Sequence, residues 1–362
     1  MQDCRRSLAP QTIKAMIDLK YLREEEIDEP RYVSFFEKYH GAGSFATWGK
    51  RIHWYFASGQ FRLLVATIDG NYVGQSTAYK AKALVRGEEK EIWWGADFFV
   101  LEEMRGKGIG MQLQQKLHED LPNFSSVAYA AASGFIKRKC GAREIRRVPF
   151  FFYPISCFFT LLLELALRKL TSTSVRLPRL RLPSFYLKLN SLFSSSTKGL
   201  AVREIAREEV PELSDFMEAC LGDEDFHIVR SKEFLKWKYV ENPLISFKAL
   251  SLEREGERIG VAILSDVYEG RYLVSQARLS KLYDLIVKRG NGLSEGQALK
   301  AALDYLQGKW RKAPDGIMAI RHIPYCPKIV YPRNRAFLST MDGKELGSCY
   351  LSYIDQDMEK ME

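Results

Sequence analysis

The chain has 362 residues, with 54 Lys and Arg against 45 Asp and Glu for a formal charge of +9, and 46% of its residues are hydrophobic. That length predicts two domains, and 27% charged with 12% aromatic residues excludes a fully disordered, collagenous or multispanning membrane chain. The charge excess is local: residues 1–164 are net +4 and residues 204–362 net −3, whereas 165–203 hold eight basic residues and no acid.

In chain order, Tyr32 to Tyr39 and Trp48 to Phe56 read as short amphipathic helices. Arg62 to Ile68 is β-rich, Asp69-Gly70-Asn71 supplies a tight turn, and Tyr72 to Leu84 resumes an extended pattern. After a second turn at Arg86-Gly87, Glu91 to Leu101 is rich enough in aromatic and β-branched residues to be a buried central strand. A helix follows over Met111 to Leu117, then a strand over Ser125 to Ala131 and a further helix.

The second half repeats this order. Val202 to Ile205 predicts a strand, Glu208 to Cys220 and Phe234 to Val240 helices, and Phe247 to Leu252 with Ile259 to Ser265 a hairpin turning near Gly256. Leu282 to Val287 predicts a short strand and Glu295 to Leu306 a long helix. Trp54 aligns with Trp237, Val73-Gly74 with Ile259-Gly260, and Arg105 with Arg289, at offsets of 183, 186 and 184. Three landmarks at nearly one offset predict a duplicated domain.

Between the halves, Phe150 to Leu163 is apolar but interrupted by Pro154, and shorter than the roughly 20 residues of a transmembrane helix. It is expected to be a final core strand running into an interdomain helix. The alternative is an interfacial segment, with 150–203 making weak contact with an anionic membrane through its basic residues. The six cysteines are scattered and the five histidines form no metal motif, which predicts reduced thiols, no metal site and a cytoplasmic protein. No nucleic-acid module accompanies the basic stretch, so specific nucleic-acid binding is not expected.

The chemistry concentrates in Arg105-Gly106-Lys107-Gly108-Ile109-Gly110, between the buried strand and a helix. Backbone N–H groups of such a turn, with the free donors of a helix start, form a cavity for phosphate oxygens. The spacing is neither that of a Walker loop nor that of a dinucleotide fingerprint. With Asp97 to Met104 before it and a helix after it, the segment resembles the R/Q-x-x-G-x-G/A motif of the GNAT acyl-CoA N-acyltransferases, and the likeness extends over residues 12–150.

That resemblance implies a mixed α/β fold: two tandem GNAT-like domains, each a mostly antiparallel central sheet flanked by helices, at 1–150 and 201–362 with a connector at 151–200. It implies acetyl-CoA or another acyl-CoA as cosubstrate and a small-molecule or peptide amine as acceptor. Phe98, Phe99 and Val100 would pair with the pantetheine arm, the Val100 N–H would face the thioester oxygen, and Arg105, Gly106, Lys107, Gly108, Ile109, Gly110 and Met111 would cradle the pyrophosphate. At the proton-handling positions the sequence departs from the family: Trp94 stands where many relatives have Glu, and Lys137, four residues before Gly141, where many have a Tyr acid. Asp97 and Tyr129 are the remaining acid–base candidates. In the second half Arg289-Gly290-Asn291-Gly292-Leu293-Ser294 echoes the motif with Ser in place of Gly or Ala, which suggests a degenerate second copy. A catalytically silent acyl-CoA sensor or scaffold, and a peripheral membrane acyltransferase acting on a lipid or surface glycan, are the alternative functions.

Overall fold

The computed structural model describes residues 16–128, 131–140, 143–154, 199–270, 277–307, 316–319 and 329–340, with a few isolated positions between them. The first half runs β1 (Ile17–Leu22), α1 (Pro30–His40), α2 (Phe45–Ala57), β2 (Phe61–Ile68), β3 (Asn71–Val85), β4 (Glu88–Val100), α3 (Ile109–Asp120), β5 (Phe124–Ala128), α4 (Ala131–Lys139) and β6 (Arg143–Pro154). The second runs β7 (Leu200–Ile205), α5 (Ser214–Leu221), β8 (Phe226–Ile228), β9 (Phe247–Arg254), β10 (Glu257–Ser265), β11 (Tyr268–Gly270), β12 (Ala277–Val287), α6 (Glu295–Gln307), β13 (Gly316–Ala319) and β14 (Ile329–Thr340). The predicted helix over Glu208 to Cys220 opens as a 3-10 turn across Arg207–Leu213, where Pro211 lacks the amide that an α-helix needs. Phe234 to Val240 is helical but passes into a π-turn at Lys236–Val240.

Two-residue turns set the hairpins. Asp69-Gly70, Arg86-Gly87 and Glu255-Gly256 all have positive φ at both positions, the mirror-image turn whose twist matches that of the strands it joins. The resulting meanders are antiparallel: β1-β2-β3-β4 in the first half and β7-β9-β10-β12 in the second. Each then gains one parallel neighbour, β5 beside β4 and β13 beside β12.

The two meanders meet in the middle of one sheet, in the order β1-β2-β3-β4-β5-β14-β6-β13-β12-β10-β9-β7. Here the chain exchanges strands: β14 from the end of the second half pairs with β5, and β6 from the first half pairs with β13, all antiparallel. The arrangement is a pseudo-twofold that interchanges β5 with β13 and β6 with β14. Phe150 to Pro154 therefore lies in a strand, as expected, with Phe151, Phe152 and Tyr153 buried, while 155–162, expected to lead into an interdomain helix, lie outside the described residues. Residue 150 falls inside β6, and strands of the two halves lie side by side in one sheet. Among the described residues no helix is long and apolar enough to cross a membrane.

Off this linear order but in the same sheet, β8 adds to the far end of β3, from Ala83↔Ile228 to Val85↔Phe226. Trp54 of α2 and Trp237 stack at 4.6 Å between ring centroids and 19° between planes, with the Trp54 Nε1–H donating to the Trp237 carbonyl at 3.2 Å. The two tryptophans matched at the repeat offset are thus in contact across the pseudo-twofold. Symmetry-related residues meet where an axis passes, as at an isologous interface. The ammonium of buried Lys238 lies 4.3 Å from the Tyr79 ring and 4.6 Å from the Trp237 ring, closing this aromatic junction.

Candidate acyl-CoA site

β4 is the strand on which the site is built. It pairs with β3 along most of its length, from Val85↔Glu88 to Gly74↔Val100, but the register shifts between Ser76 and Ala78. At this bulge the Thr77 hydroxyl replaces the lost ladder bonds: Oγ1 accepts from the Asp97 N–H at 2.7 Å and donates to the Asp97 carbonyl at 3.3 Å. On the other side β4 pairs with β5 only at Trp93↔Phe124, Trp94↔Ser125 and Gly95↔Ser126 among the described residues. Gly95 permits that closeness, because a Cβ there would meet Phe124 Cζ at 2.7 Å and Ser126 Cβ at 3.0 Å. Past Gly95 the strands part.

The parted edge carries directed backbone groups. The Leu101 N–H donates to the Val73 carbonyl at 3.0 Å, so Leu101 and Val73 form a hydrogen-bonded antiparallel pair. By the alternation of such ladders, the amide and carbonyl groups of Phe98 and Val100 point away from β3, into the gap left by β5. Phe98 and Val100 thus present backbone groups at this edge, whereas those of Phe99 face Gln75 of β3. Phe99 anchors the edge from the opposite face, stacked on Tyr39 at 3.9 Å and Phe35 at 5.3 Å.

Immediately after β4 the chain enters the glycine turn. Gly106 and Gly108 adopt φ of +80° and +81°, the left-handed conformation that a side chain disfavours, and an added Cβ at either would meet nothing within 4 Å. The turn is therefore strained for other residues yet open on its outer side. Gly108 is the N-cap of α3, and no side chain caps the helix, which leaves the first-turn donors facing the open turn. Gly110 instead solves a packing problem, since a Cβ there would stand 3.1 Å from both Phe98 Cζ and Ile136 Cδ1. Arg105 folds back to donate from Nε to the Val100 carbonyl at 3.4 Å, and Lys107 Nζ lies 3.2 Å from Met104 Sδ. This open, uncapped cradle fits the diphosphate of a coenzyme A molecule, and the parted β4 edge fits an amide-bearing arm.

The acid–base candidates lie apart from one another. Asp97 is mostly buried, and its Oδ2 accepts from the Arg51 Nη2–H at 3.2 Å. Arg51 is itself buried, its guanidinium 5.0 Å from the Trp48 ring and 5.7 Å from the Tyr55 ring. Such a pair commits one oxygen of this carboxylate to a buried cation. Tyr129 lies outside the described residues. Trp94 is buried, its ring 6.2 Å from that of Phe226, and supplies no titratable group.

Two side chains that the sequence did not put forward as acid–base candidates belong to this region. Tyr39 stands half exposed on Phe99, and burial, followed by the Asp97 charge, pushes its phenol up from the ordinary value. Lys137 of α4 is buried and donates from Nζ to the Ser126 hydroxyl. Burial alone lowers its ammonium to about 7, and no carboxylate pairs with it among the described residues. Its position four residues before Gly141 was visible in the sequence, but its burial was not.

In the second half Gly260 pairs with Val287 as Gly74 pairs with Val100, and β12 bulges next to Asp284 as β4 does at Asp97. The glycine turn has a different fate. Arg289 is held by Asp223 at 3.0 Å and Glu224 at 2.9 Å, and the Arg254 Nη1–H donates to the Asn291 carbonyl at 2.7 Å. The Ser294 hydroxyl accepts from the Gln297 N–H at 3.3 Å while Gln297 Oε1 accepts from the Ser294 N–H at 2.8 Å. This capping box occupies donors at the start of α6 with the protein's own groups, where α3 leaves them open. Among the described residues no group of His, Cys, Asp and Glu could hold a metal ion.

Residues 21–141, about a third of the chain, match the sequence model of the acetyltransferase (GNAT) family. No curated protein matches the sequence. Among solved structures, a GCN5-related N-acetyltransferase from Anabaena variabilis is 12% identical, with a TM-score of 0.56 over 89% of this chain and 72% of that one. A GCN5-related N-acetyltransferase from Kribbella flavida is 14% identical, with a TM-score of 0.53 over 90% of this chain and 71% of that one. A tandem GNAT protein from the clavulanic acid biosynthesis pathway is 11% identical, with a TM-score of 0.52 over 90% of this chain and 98% of that one. The fold is that of the GNAT acetyltransferases, tandem members included.

Proposed function

We propose that the protein is an acyltransferase that moves an acyl group, most simply acetyl, from coenzyme A to a primary amine, using the site of its first half. The observation that carries this reading is the junction of the parted β4 edge with the open, uncapped glycine turn at the start of α3. The turn would bind the diphosphate, and the Phe98 and Val100 backbone groups would pair with the pantetheine arm. The Val100 N–H would then stand toward the thioester oxygen, where the negative charge of the tetrahedral transition state develops. Attack by a neutral amine forms the C–N bond and breaks the C–S bond. The protein's main tasks are to position the two reactants and to manage two protons.

The second half is read as a related domain without a working coenzyme site, because Arg289 and the α6 start are engaged internally. Calorimetry with acetyl-CoA tests the reading. The 362-residue protein is expected to bind it, and Gly108→Trp, at a position open on its outer side, to abolish binding while the fold persists by circular dichroism. Absence of binding by the wild type, or unchanged binding by the variant, overturns it. The Arg51 pairing of Asp97 favours one second reading, a silent acyl-CoA sensor. Release of free coenzyme A during a screen of amines, aminosugars and peptides separates the two, because a sensor binds without turnover.

A further inference from the structure

A cavity of about 230 Å³ lies between α2 and the sheet of the second half. Trp48 of α2 lines it on one side, Ser246 before β9 and Asp266 after β10 on another, and Tyr268, Lys281 and Tyr283 of β11 and β12 complete it. Among the described residues no part of β4 or of the glycine turn lines it, so it is separate from the acyl-CoA site. It is smaller than the roughly 300–1,000 Å³ of a pocket for a drug-sized ligand, which suits a small metabolite.

The backbone fixes the polar groups of these walls. The Asp266 N–H donates to the Ser246 carbonyl at 2.9 Å, and the Ser246 hydroxyl donates to Asp266 Oδ2. Opposite, the register between β10 and β12 shifts at Ile263 and Leu264, which leaves Tyr283 as the extra residue of a bulge. A bulge breaks the alternation of side chains and re-aims them. Two residues earlier the Lys281 N–H donates to Ser265 Oγ at 2.8 Å. Lys281 is 5% exposed, and its Nζ lies 4.8 Å from the centre of the Tyr268 ring, on the wall of the cavity. Val100 and Val287 pair with matching glycines, and six residues before them stand Trp94 and Lys281. Where the first half buries an indole against Phe226, the second half thus places an ammonium beside a cavity.

Charges of both signs therefore line one small space, and Asp266 and Lys281 form no ion pair with each other. The remaining wall is mainly apolar and aromatic, through Trp48, Leu244, Val267, Tyr268 and Tyr283. A polyphosphate would meet the Asp266 carboxylate. A simple cation would meet Lys281 and find two of the rings already carrying the protein's own cations, with the Arg51 guanidinium 5.0 Å from Trp48 and Lys281 on Tyr268. A molecule with one group of each sign on an apolar body satisfies every wall at once. We propose that this cavity binds a small amino acid with an apolar side chain, its carboxylate on Lys281 and its ammonium on Asp266.

Calorimetry on the 362-residue protein compares L-phenylalanine, which carries both charges, with 2-phenylethylamine and 3-phenylpropanoate, which carry one each. The wild type should bind L-phenylalanine about tenfold more tightly than either, as expected of one added charged contact. Asp266→Asn should weaken L-phenylalanine by about tenfold and leave 3-phenylpropanoate unchanged, whereas Lys281→Met should weaken L-phenylalanine and leave 2-phenylethylamine unchanged. No binding of L-phenylalanine by the wild type, equal affinity for the three ligands, or indifference to Asp266→Asn overturns the proposal. Should Lys281→Met not fold, the three ligands on the wild type and on Asp266→Asn decide. Acetyl-CoA should bind Asp266→Asn as it binds the wild type; a loss there would show that the cavity is no separate site and overturn the proposal. Failure of the wild type to bind acetyl-CoA overturns the acyl-CoA reading alone.

Discussion

Replacing Lys137 by Met should change how stability depends on pH, in a direction and over a window that the burial of this one side chain determines. Lysine ordinarily titrates at 10.5, and burial lowers the native ammonium of Lys137 to about 7. Between these two values the unfolded chain binds a proton that the folded one does not, so the contribution to stability rises with pH. It is fully present above about 10.5 and is lost as the pH falls through about 7. At about 1.4 kcal/mol per pH unit, the wild type gains about 3 kcal/mol between pH 7 and pH 9.5 from this group, and about 5 kcal/mol over the full window. Lys137→Met keeps most of the buried volume and lacks the titration. Urea unfolding of both proteins at about pH 7, 8 and 9.5 should therefore show the variant's relative stability falling by about 3 kcal/mol across the series. Parallel pH profiles would show that the native ammonium keeps an ordinary affinity for its proton, and the argument from burial would be wrong.

Three other outcomes follow from the geometry. Gly108→Ala places a side chain at φ +81°, so it should cost about 1 kcal/mol in thermal or urea unfolding and weaken acetyl-CoA binding in calorimetry. Trp54→Ala removes the stack on Trp237 and the hydrogen bond to its carbonyl; it should cost about 3–5 kcal/mol, read by urea unfolding, with both halves losing stability together. Arg230→Met leaves the Asp284 carboxylate buried beside Tyr239 without its guanidinium partner and should destabilise by about 3–5 kcal/mol, an effect that Asp284→Asn in the same chain should partly relieve.

Much of this architecture could be read along the chain because the relevant forces are local. Alternating apolar residues and the Asp69-Gly70 and Arg86-Gly87 turns specify the meander, since only such residues tolerate the left-handed φ of a tight hairpin. The glycine turn before α3 was equally visible, because its chemistry lies in backbone groups that any sequence with those glycines exposes. The matched tryptophans and the Gly74 and Gly260 positions disclosed the repeat, and the register of β10 on β12 places Gly260 as the register of β3 on β4 places Gly74.

What depends on contacts between distant residues was not legible. The exchange of β6 and β14 joins segments nearly 200 positions apart, and strand partners in a sheet are chosen by the packing of both faces, not by either strand's own pattern. Asp97 reads as a candidate base in the sequence; Arg51, 46 positions earlier, makes it half of an ion pair. Lys137 reads in the sequence as standing where many relatives have a Tyr acid, and only the closure of α4 over β5 strips it of water and leaves it facing Ser126. The amino-acid sequence by itself determined the fold class and the open glycine turn, since both are written in short-range patterns. Which side chains are buried, paired or left charged was decided only by the tertiary structure, because solvent exclusion and charge pairing belong to the assembled sheet and helices.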